Sequence, residues 1–401
     1  MLIVNQLENV SGKVIIVRVD FNVPLKSGVI KDDNRISAAL PTIKELISKG
    51  AKVVLMSHLG KIKHKEAPEI VAEAKAKNDL APVAIRLSEL LGQKVNFVNA
   101  TRGAVLTDAV KALLPGEVLL MQNTRYEKGE EKNDAELSAI WANLADGFVM
   151  DAFGSAHRAH ASTFGVPELL KKEGKPVAVG YLVEKEIEAL SRCVEVQDSD
   201  RPYIAILGGF KVSDKIKVIE TLLTKCDKIL IGGAMTYTFL AAKGISTGTS
   251  PVEIEQAEYA RKCLASGKIV LPVDSICADG FESHTEVKIV EGNIPEGFQG
   301  LDVGPKTLEL YRAEIAKAKM IFWNGPVGVF EQEEFATGTK EVCKAIVANT
   351  KAFTVIGGGD SASAAKQFGY KDGFSHVSTG GGASLEMIEN DGHLPGIDII
   401  K

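Results

Sequence analysis

The chain has little of what would place it in a specialised class. Its five cysteines (Cys193, Cys226, Cys263, Cys277 and Cys343) are scattered, odd in number and form no Cys-x-x-Cys. That excludes a disulfide framework and fits free thiols in a reducing cytosol. No apolar run approaches the ~20 residues a membrane helix needs. The start, Met-Leu-Ile-Val-Asn-Gln-Leu-Glu, lacks a positive stretch ahead of a long apolar core, so no signal peptide is expected. There is no basic excess either: the formal charge is −5, which gives no reason to expect nucleic acid as a partner. A Gly-x-x-x-x-Gly-Lys-Ser/Thr segment is also missing, which excludes an ordinary P-loop. A soluble, cytoplasmic protein with small-molecule ligands is the expectation, with neither membrane nor nucleic acid involved.

What the chain does have is length, apolar content and glycine. At 401 residues it is too long for one ordinary core, so two domains are expected. Hydrophobic residues make up 45% and glycines number 38, which implies many tight turns between buried elements. Apolar, strand-like runs alternate with helical patterns throughout. The first series is 13–19, 52–56, 95–98, 118–121 and 148–150, with helices near 38–48, 83–91, 104–114 and 136–145. The second is 203–207, 228–231, 268–273, 320–323, 353–356 and 374–377. Between them, 183–196 carries many charges on one side and reads as a linker helix. Residues 61–78, rich in Lys, Glu and Ala, read as a solvated helical insertion. Such alternation predicts an α/β chain of two doubly wound parallel-sheet (Rossmann-like) domains joined by a helix and hinge. The expected division is 1–180 and 181–389, with 390–401 returning to the first domain.

In parallel sheets, ligands sit beyond the carboxyl ends of the strands, so functional residues should follow the apolar runs directly. They do: Asp20-Phe21-Asn22, Ser57-His58, Gln122-Asn-Thr-Arg125, Asp151, Asn324-Gly-Pro and Gly357-Gly358-Gly359-Asp360 each follow one. The segment Ile204–Lys217 reads as strand, Gly208-Gly209 turn and helix, with Lys211 and Lys215 four apart on one helical face. Two solvated surface lysines are the plain alternative. Paired cations beside two glycines at a strand's end suit a polyphosphate, and a phosphoryl group is the expected ligand.

The halves differ in chemistry. The first collects Asp20, Asn22, Arg35, His58, Lys61, Arg125 and Arg158, a set suited to a small molecule bearing phosphate, carboxylate and hydroxyl groups. Each arginine alone is equally at home in a surface ion pair. The second half collects glycine pairs and triplets, which let backbone N–H groups approach an anion. Asp360 is placed to reach a phosphate-bound Mg²⁺, or to act simply as a helix cap.

Several motifs fail on context. Gly244-Ile-Ser-Thr-Gly248 fits a nucleophile elbow but follows a helix, so Gly244 reads as a helix stop. His157-x-x-His160 has no further ligand cluster. Gly357-Gly-Gly-Asp-Ser-Ala362 fits a dinucleotide fingerprint, but no carboxylate lies in Ser375-His-Val-Ser-Thr379, where the next strand ends. An NAD-dependent dehydrogenase is therefore an alternative without its ribose-binding acid.

These stretches together resemble the phosphoglycerate kinase family. The matching blocks include Val17-Arg-Val-Asp-Phe-Asn-Val-Pro24, Ser57-His-Leu-Gly60, Asp151-Ala-Phe-Gly-Ser-Ala-His-Arg-Ala-His160, Lys211-Val-Ser-Asp-Lys-Ile216, Trp323-Asn-Gly-Pro-Val-Gly-Val-Phe-Glu331, Gly357-Gly-Gly-Asp-Ser361 and Ser378-Thr-Gly-Gly-Gly-Ala-Ser-Leu-Glu386. They span almost the whole chain in family order. The resemblance implies reversible phosphoryl transfer between 1,3-bisphosphoglycerate and Mg-ADP, giving 3-phosphoglycerate and ATP. A monomer is expected, and because water competes for an acyl phosphate, hinge closure about 183–196 is expected when both ligands are bound. The resemblance implies glycerate binding by Asp20, Phe21, Asn22, Arg35, His58, Leu59, Gly60, Lys61, Arg125 and Arg158. It further implies nucleotide binding by Lys211, Asn324, Glu331, Gly357, Gly358, Gly359 and Asp360, with Asp360 on Mg²⁺ and Arg35 and Lys215 stabilising the transferring group. An impaired nucleotide- or anion-binding relative is the other alternative. The chain departs from the family pattern at Lys61 (usually Arg), Phe210 (usually small, so crowding of the phosphate turn is expected), Gln122 (usually Glu) and the longer stretch after Lys61.

Overall fold

The computed structural model describes residues 1–401 and divides them into two compact units, Met1–Glu188 with His393–Lys401, and Ala189–Gly392. The division falls inside the helix Tyr181–Val194, after Glu188, where the sequence pattern placed it ahead of that helix.

In the first unit, seven parallel strands lie in the order Leu2–Ile3, Val177–Val179, Gly147–Asp151, Val14–Val19, Lys52–Met56, Val118–Met121, Val95–Val98. Val14–Val19 is buried from Ile15 onward, as a β-branched run covered on both faces must be. Helices Asn34–Ser48 and Ala81–Leu91 place Ile36, Ile43, Leu46, Val83 and Leu87 in the same core as Ile15, Val17 and Val53. Strand order reverses direction at Val14–Val19, which has later strands of the chain on both sides. Their carboxyl ends there open a crevice of the kind that binds ligands. The short helix Pro395–Asp398 belongs to this unit: Gly396 N donates to Ala156 O at 2.8 Å, and Leu394 and Ile397 are buried.

In the second unit, six parallel strands run in the order Ile269–Val270, Lys228–Ile231, Tyr203–Leu207, Met320–Asn324, Phe353–Ile356, His376–Val377. Strand order reverses between Tyr203–Leu207 and Met320–Asn324. Purely parallel pairing was expected, and here the structure differs. Pro272, which has no N–H to give a neighbour, ends the apolar run 268–273 after Val270. The chain then builds a separate antiparallel sheet of Val287–Glu291, Asp274–Ala278 and Gln299–Val303.

Asp151 ends a central strand of the first unit and meets the start of Tyr181–Val194. Its Oδ1 accepts from Leu182 N at 3.1 Å, while Oδ2 is buried without a partner. A Cβ on Gly180 would come within 2.1 Å of that Oδ1, so only glycine fits there. Burial pushes the Asp151 carboxyl up to about 7 against the hydrogen bonds that favour its charge. A raised folded-state value means the folded protein keeps a proton that the unfolded chain loses between pH 4 and 7. The cost of ionising Asp151 therefore grows as pH rises through that window and is complete above about 7. The expected result is that Asp151→Asn gains thermal stability relative to the parent between pH 5 and pH 8. A stability difference that stays flat over that range contradicts it.

Candidate active site

The cluster of basic side chains in the first unit centres on Arg18, which the sequence pattern did not single out. Arg18 is 1% exposed. Its Nε donates to Ser162 Oγ at 2.8 Å and its Nη1 to Val19 O at 2.6 Å. Ser162 in turn donates its hydroxyl and its N–H to the buried Glu130 carboxylate. Arg18 Nη2 lies 3.0 Å from His58 Nδ1. A guanidinium only donates, so Nδ1 accepts and the His58 proton sits on Nε2. Burial and then Arg18, Arg125, Arg35 and His160 hold His58 well below its usual range. His160 falls to about 4, through burial first and then Arg18, Arg125, Arg158 and His157. Both histidines thus report a concentrated positive potential.

The other predicted side chains gather around this potential. Arg35 Nη1 donates to both oxygens of Asp20 at 3.0 Å. Asn22 Oδ1 accepts from Gly60 N at 2.8 Å, and Arg125 Nη1 donates to Gly60 O at 2.6 Å. Arg125 Nε is buried without a partner, the condition of a donor waiting for an acceptor. Arg158 and Lys61 are exposed. Phe21 and Leu59 place their side chains in the hydrophobic core, so only their backbone is available to a ligand. Leu59 N and O are already bonded to the Asn123 amide. Gln122 is buried and structural: it accepts from Leu80 N and Asn123 N and donates to Asp79 and Asn99.

In the second unit, Gly208 follows Tyr203–Leu207 and donates its N–H to Asn324 O at 2.9 Å, across the point where strand order reverses. A Cβ on Gly208 would meet Pro326 O at 1.9 Å, and Gly209 has φ +137°; side chains are excluded from this turn. Lys215 Nζ binds Asn324 Oδ1 and lies 3.4 Å from Asn324 O. Asn324 Nδ2 donates to Gly357 O at 3.0 Å, and Gly325 N to Ser361 Oγ at 2.6 Å. The three glycine turns are thus tied together through one asparagine. Asp360 is exposed on the first turn of the helix Gly359–Gln367. Burial lowers the Lys215 ammonium to about 8, against the charges of Asp360 and Asp214, which raise it.

The shared helical face for Lys211 and Lys215 is corrected by the structure. Ser213–Lys215 form a tight 3₁₀ turn, and the α-helix Ile216–Lys225 begins only after Lys215, whose φ of −124° is not helical. Lys211 is exposed and acts on Glu253, whereas Lys215 turns inward. Phe210 does not crowd the turn. It is 65% exposed and lines a cavity of ≈290 Å³ with Gly209, Glu331 and Asp360. Gly244 stops its helix as expected, with φ +80° and its N–H on Ala241 O.

A single carboxylate beside a polyphosphate suffices for Mg²⁺, which keeps several waters and takes few protein ligands. Asp360, exposed in the cavity wall and within electrostatic range of Lys215, meets that requirement.

The buried Arg18–Ser162–Glu130 network makes a direct prediction. Arg18→Met should destabilise the protein by about 3–5 kcal/mol, because Glu130 is left buried and unpaired. Adding Glu130→Gln should recover part of the loss. Chemical denaturation of the two variants measures both, and an unchanged midpoint for Arg18→Met contradicts the assignment.

Residues 4–391 match the family model for phosphoglycerate kinase. The chain is 50% identical over 407 residues to the phosphoglycerate kinase of Latilactobacillus sakei, covering 99% of this chain and 98% of the relative. It is 52% identical over 406 residues to that of Lacticaseibacillus casei, covering 100% and 99%. Among solved structures, phosphoglycerate kinase from Coxiella burnetii is similar with TM-score 0.87 and 40% identity, covering 100% of this chain and 98% of that one. The enzyme from Pyrococcus horikoshii gives TM-score 0.84 and 35% identity, with the same coverage.

Proposed function

The chain belongs to the phosphoglycerate kinase family and is a glycolytic phosphotransferase; from that premise we propose that Lys215 and Arg35 carry the transferring phosphoryl group. The observation supporting this reading is the half-buried Lys215 ammonium, held by neutral Asn324 among the glycine turns rather than by a carboxylate. A phosphoryl oxygen arriving there replaces an amide carbonyl as partner and meets a positive charge in a poorly hydrated place, where it counts most.

The reaction moves a phosphoryl group between the acyl phosphate of 1,3-bisphosphoglycerate and ADP. Its acceptors, a carboxylate and a nucleotide phosphate, are both ionised at neutral pH, so no general base is needed. Positioning and neutralisation of the equatorial oxygens remain. In this reading Asp20, Asn22, His58, Arg125 and Arg158 hold the glycerate ligand, with Lys61 at the rim, while Phe21, Leu59 and Gly60 fix the backbone that carries these side chains. Arg35 spends one terminal nitrogen on Asp20 and keeps further donors for phosphate. Lys211, Asn324, Glu331 and Gly357–Asp360 hold the nucleotide. Asp360 would hold Mg²⁺, which when bound adds positive charge on the phosphates. The protein is read as a cytoplasmic monomer; its five thiols are all free, and no helix is long and apolar enough to cross a membrane.

Lys215→Ala should give a folded protein with turnover lowered on the order of 10³-fold, by analogy with arginine fingers, and nucleotide affinity largely kept. Steady-state assay with 3-phosphoglycerate and Mg-ATP measures it, and near-normal turnover refutes the assignment. For the parent enzyme, kcat/KM should fall as pH rises through about 8, where the free enzyme loses the Lys215 proton. Hinge closure on two bound ligands should appear in small-angle scattering as a smaller radius of gyration with both ligands than with neither. An unchanged radius counts against closure.

A further inference from the structure

Lys215 is aimed by a turn that does not hold itself. Ser213–Lys215 is a single 3₁₀ turn closed by Lys215 N donating to Val212 O at 2.9 Å, and no side chain of its own caps it or the helix Ile216–Lys225 that follows. Ser213 and Asp214 are exposed, so little packing fixes them. One turn of this kind is marginal without outside partners. The outside partner is Glu253. Its Oε2 accepts from Ser213 N at 3.1 Å and its Oε1 from the Ser213 hydroxyl. Glu253 is itself fixed: its N–H donates to Thr238 Oγ1 at 3.0 Å, and Thr238 is buried in the helix Met235–Ala242. That same helix begins with Met235 N donating to Gly209 O at 3.0 Å. Both ends of the segment 209–213 are therefore tied to one buried helix. Just past Lys215, Tyr259 donates its hydroxyl to Ile216 O at 3.0 Å. Burial raises the Glu253 carboxyl, but the bonds from Ser213 and the Val212 N–H, with the Lys211 charge, outweigh it and hold the group below its usual range.

We infer that Glu253 is a positioning residue for the reaction: by gripping the 3₁₀ turn it sets where the Lys215 ammonium stands. The inference rests on the reading of Lys215 as the cation on the transferring phosphoryl group. Lys215 leaves the turn with φ −124°, and its side chain passes Gly209, where a Cβ would lie 3.0 Å from Lys215 Cε, on its way to Asn324. That path is narrow, and a shift of the backbone at 213–215 takes the ammonium off it. The Glu253 carboxylate bonds to the turn and to none of Asn324, Gly357 or Asp360. Its effect on the reaction therefore passes through Lys215. A displaced cation costs most where charge gathers on the equatorial oxygens, in the transition state. Nucleotide binding in the ground state is shared among several other groups. Loss of Glu253 therefore lowers kcat and leaves KM in place.

Glu253→Ala should lower kcat roughly ten- to hundredfold, the scale set by misplacing a reacting group by about 1 Å, with KM for Mg-ATP and for 3-phosphoglycerate kept. Glu253→Gln should recover most of the lost kcat, because its amide accepts from Ser213 N and donates to Ser213 Oγ, keeping both bonds without the charge. Ser213→Ala removes one of the two bonds and should lower kcat by a smaller factor. In a Lys215→Ala background, Glu253→Ala should cost nothing further, since both changes act through one ammonium. An equal loss in the two backgrounds overturns the inference, because Glu253 would then support the fold at large. So does a loss in Glu253→Gln as large as in Glu253→Ala, which would make its charge on Lys211 the agent. A raised KM for Mg-ATP with kcat kept overturns it as well. Near-normal turnover in Lys215→Ala sinks the Lys215 reading and this inference together, whereas collapsed turnover there with parental kcat in Glu253→Ala sinks only the positioning.

Discussion

A cation kept partly out of water without a carboxylate bonded to it is the constraint on which the second unit is built. Lys215 is held by Asn324, and Asn324 is held by Gly357. Burial lowers the ammonium's pKa, so its charge is costly to keep, and the hydrogen bonds to Asn324 with the nearby charges of Asp360 and Asp214 offset part of that cost. The strand-order reversal between Tyr203–Leu207 and Met320–Asn324 makes this possible. It separates two loops that would otherwise run to the same side, and glycine at 208 and 209 lets their backbones meet. A neutral partner is essential to the logic. A carboxylate at Asn324 would satisfy the ammonium, and an arriving phosphate would then have to displace a charge rather than an amide.

The first unit handles positive charge in the opposite way. Arg18 is fully buried and neutralised through Ser162 by Glu130, which makes it part of the scaffold. Its remaining influence is electrostatic and local: it fixes the His58 tautomer and adds, after burial and together with Arg125 and Arg35, to what keeps that ring neutral. A neutral His58 presents a donor without adding to the repulsion among the arginines. Arg125 Nε is buried beside this cluster without a hydrogen-bond partner.

Much of this was legible in the sequence, for a physical reason. Strands buried on both faces must be continuous apolar runs, and 52–56, 118–121, 203–207, 228–231 and 353–356 come out as the pattern has them; the edge strand 95–98, only partly buried, does so too. Loops after those runs carried nearly all the candidate side chains. Arg18 escaped because it sits inside such a run, between Val17 and Val19, where a lone charge is easily passed over. That was the available signal: a buried arginine in a central strand requires partners, and partners there imply a site. The antiparallel sheet 274–303 was missed because Val287–Glu291 alternates exposed and half-buried positions instead of forming a solid apolar block. The inward turn of Lys215 depends on a 3₁₀ turn whose onset no periodicity marks.

The departures from the family pattern obey the same division between scaffold and site. Gln122 stands where a glutamate is usual, and its Nε2 donates to Asp79 and Asn99. A glutamate in that buried position would set two carboxylates against each other, so the amide and Asp79 belong together. Asn78, next to Asp79, accepts from Asn123 Nδ2 through its carbonyl. Its side chain crowds Gly60, where a Cβ would lie 2.0 Å from Asn78 Oδ1. The end of the helical insertion therefore bears on the loop 59–60 that Arg125 and Asn22 also grip. Gln122 and the longer stretch after Lys61 are thus one local adjustment to the packing around the loop 59–60. Arg18 and Arg35 bond to His58 and Asp20 and to none of Asn78, Asp79 or Gln122.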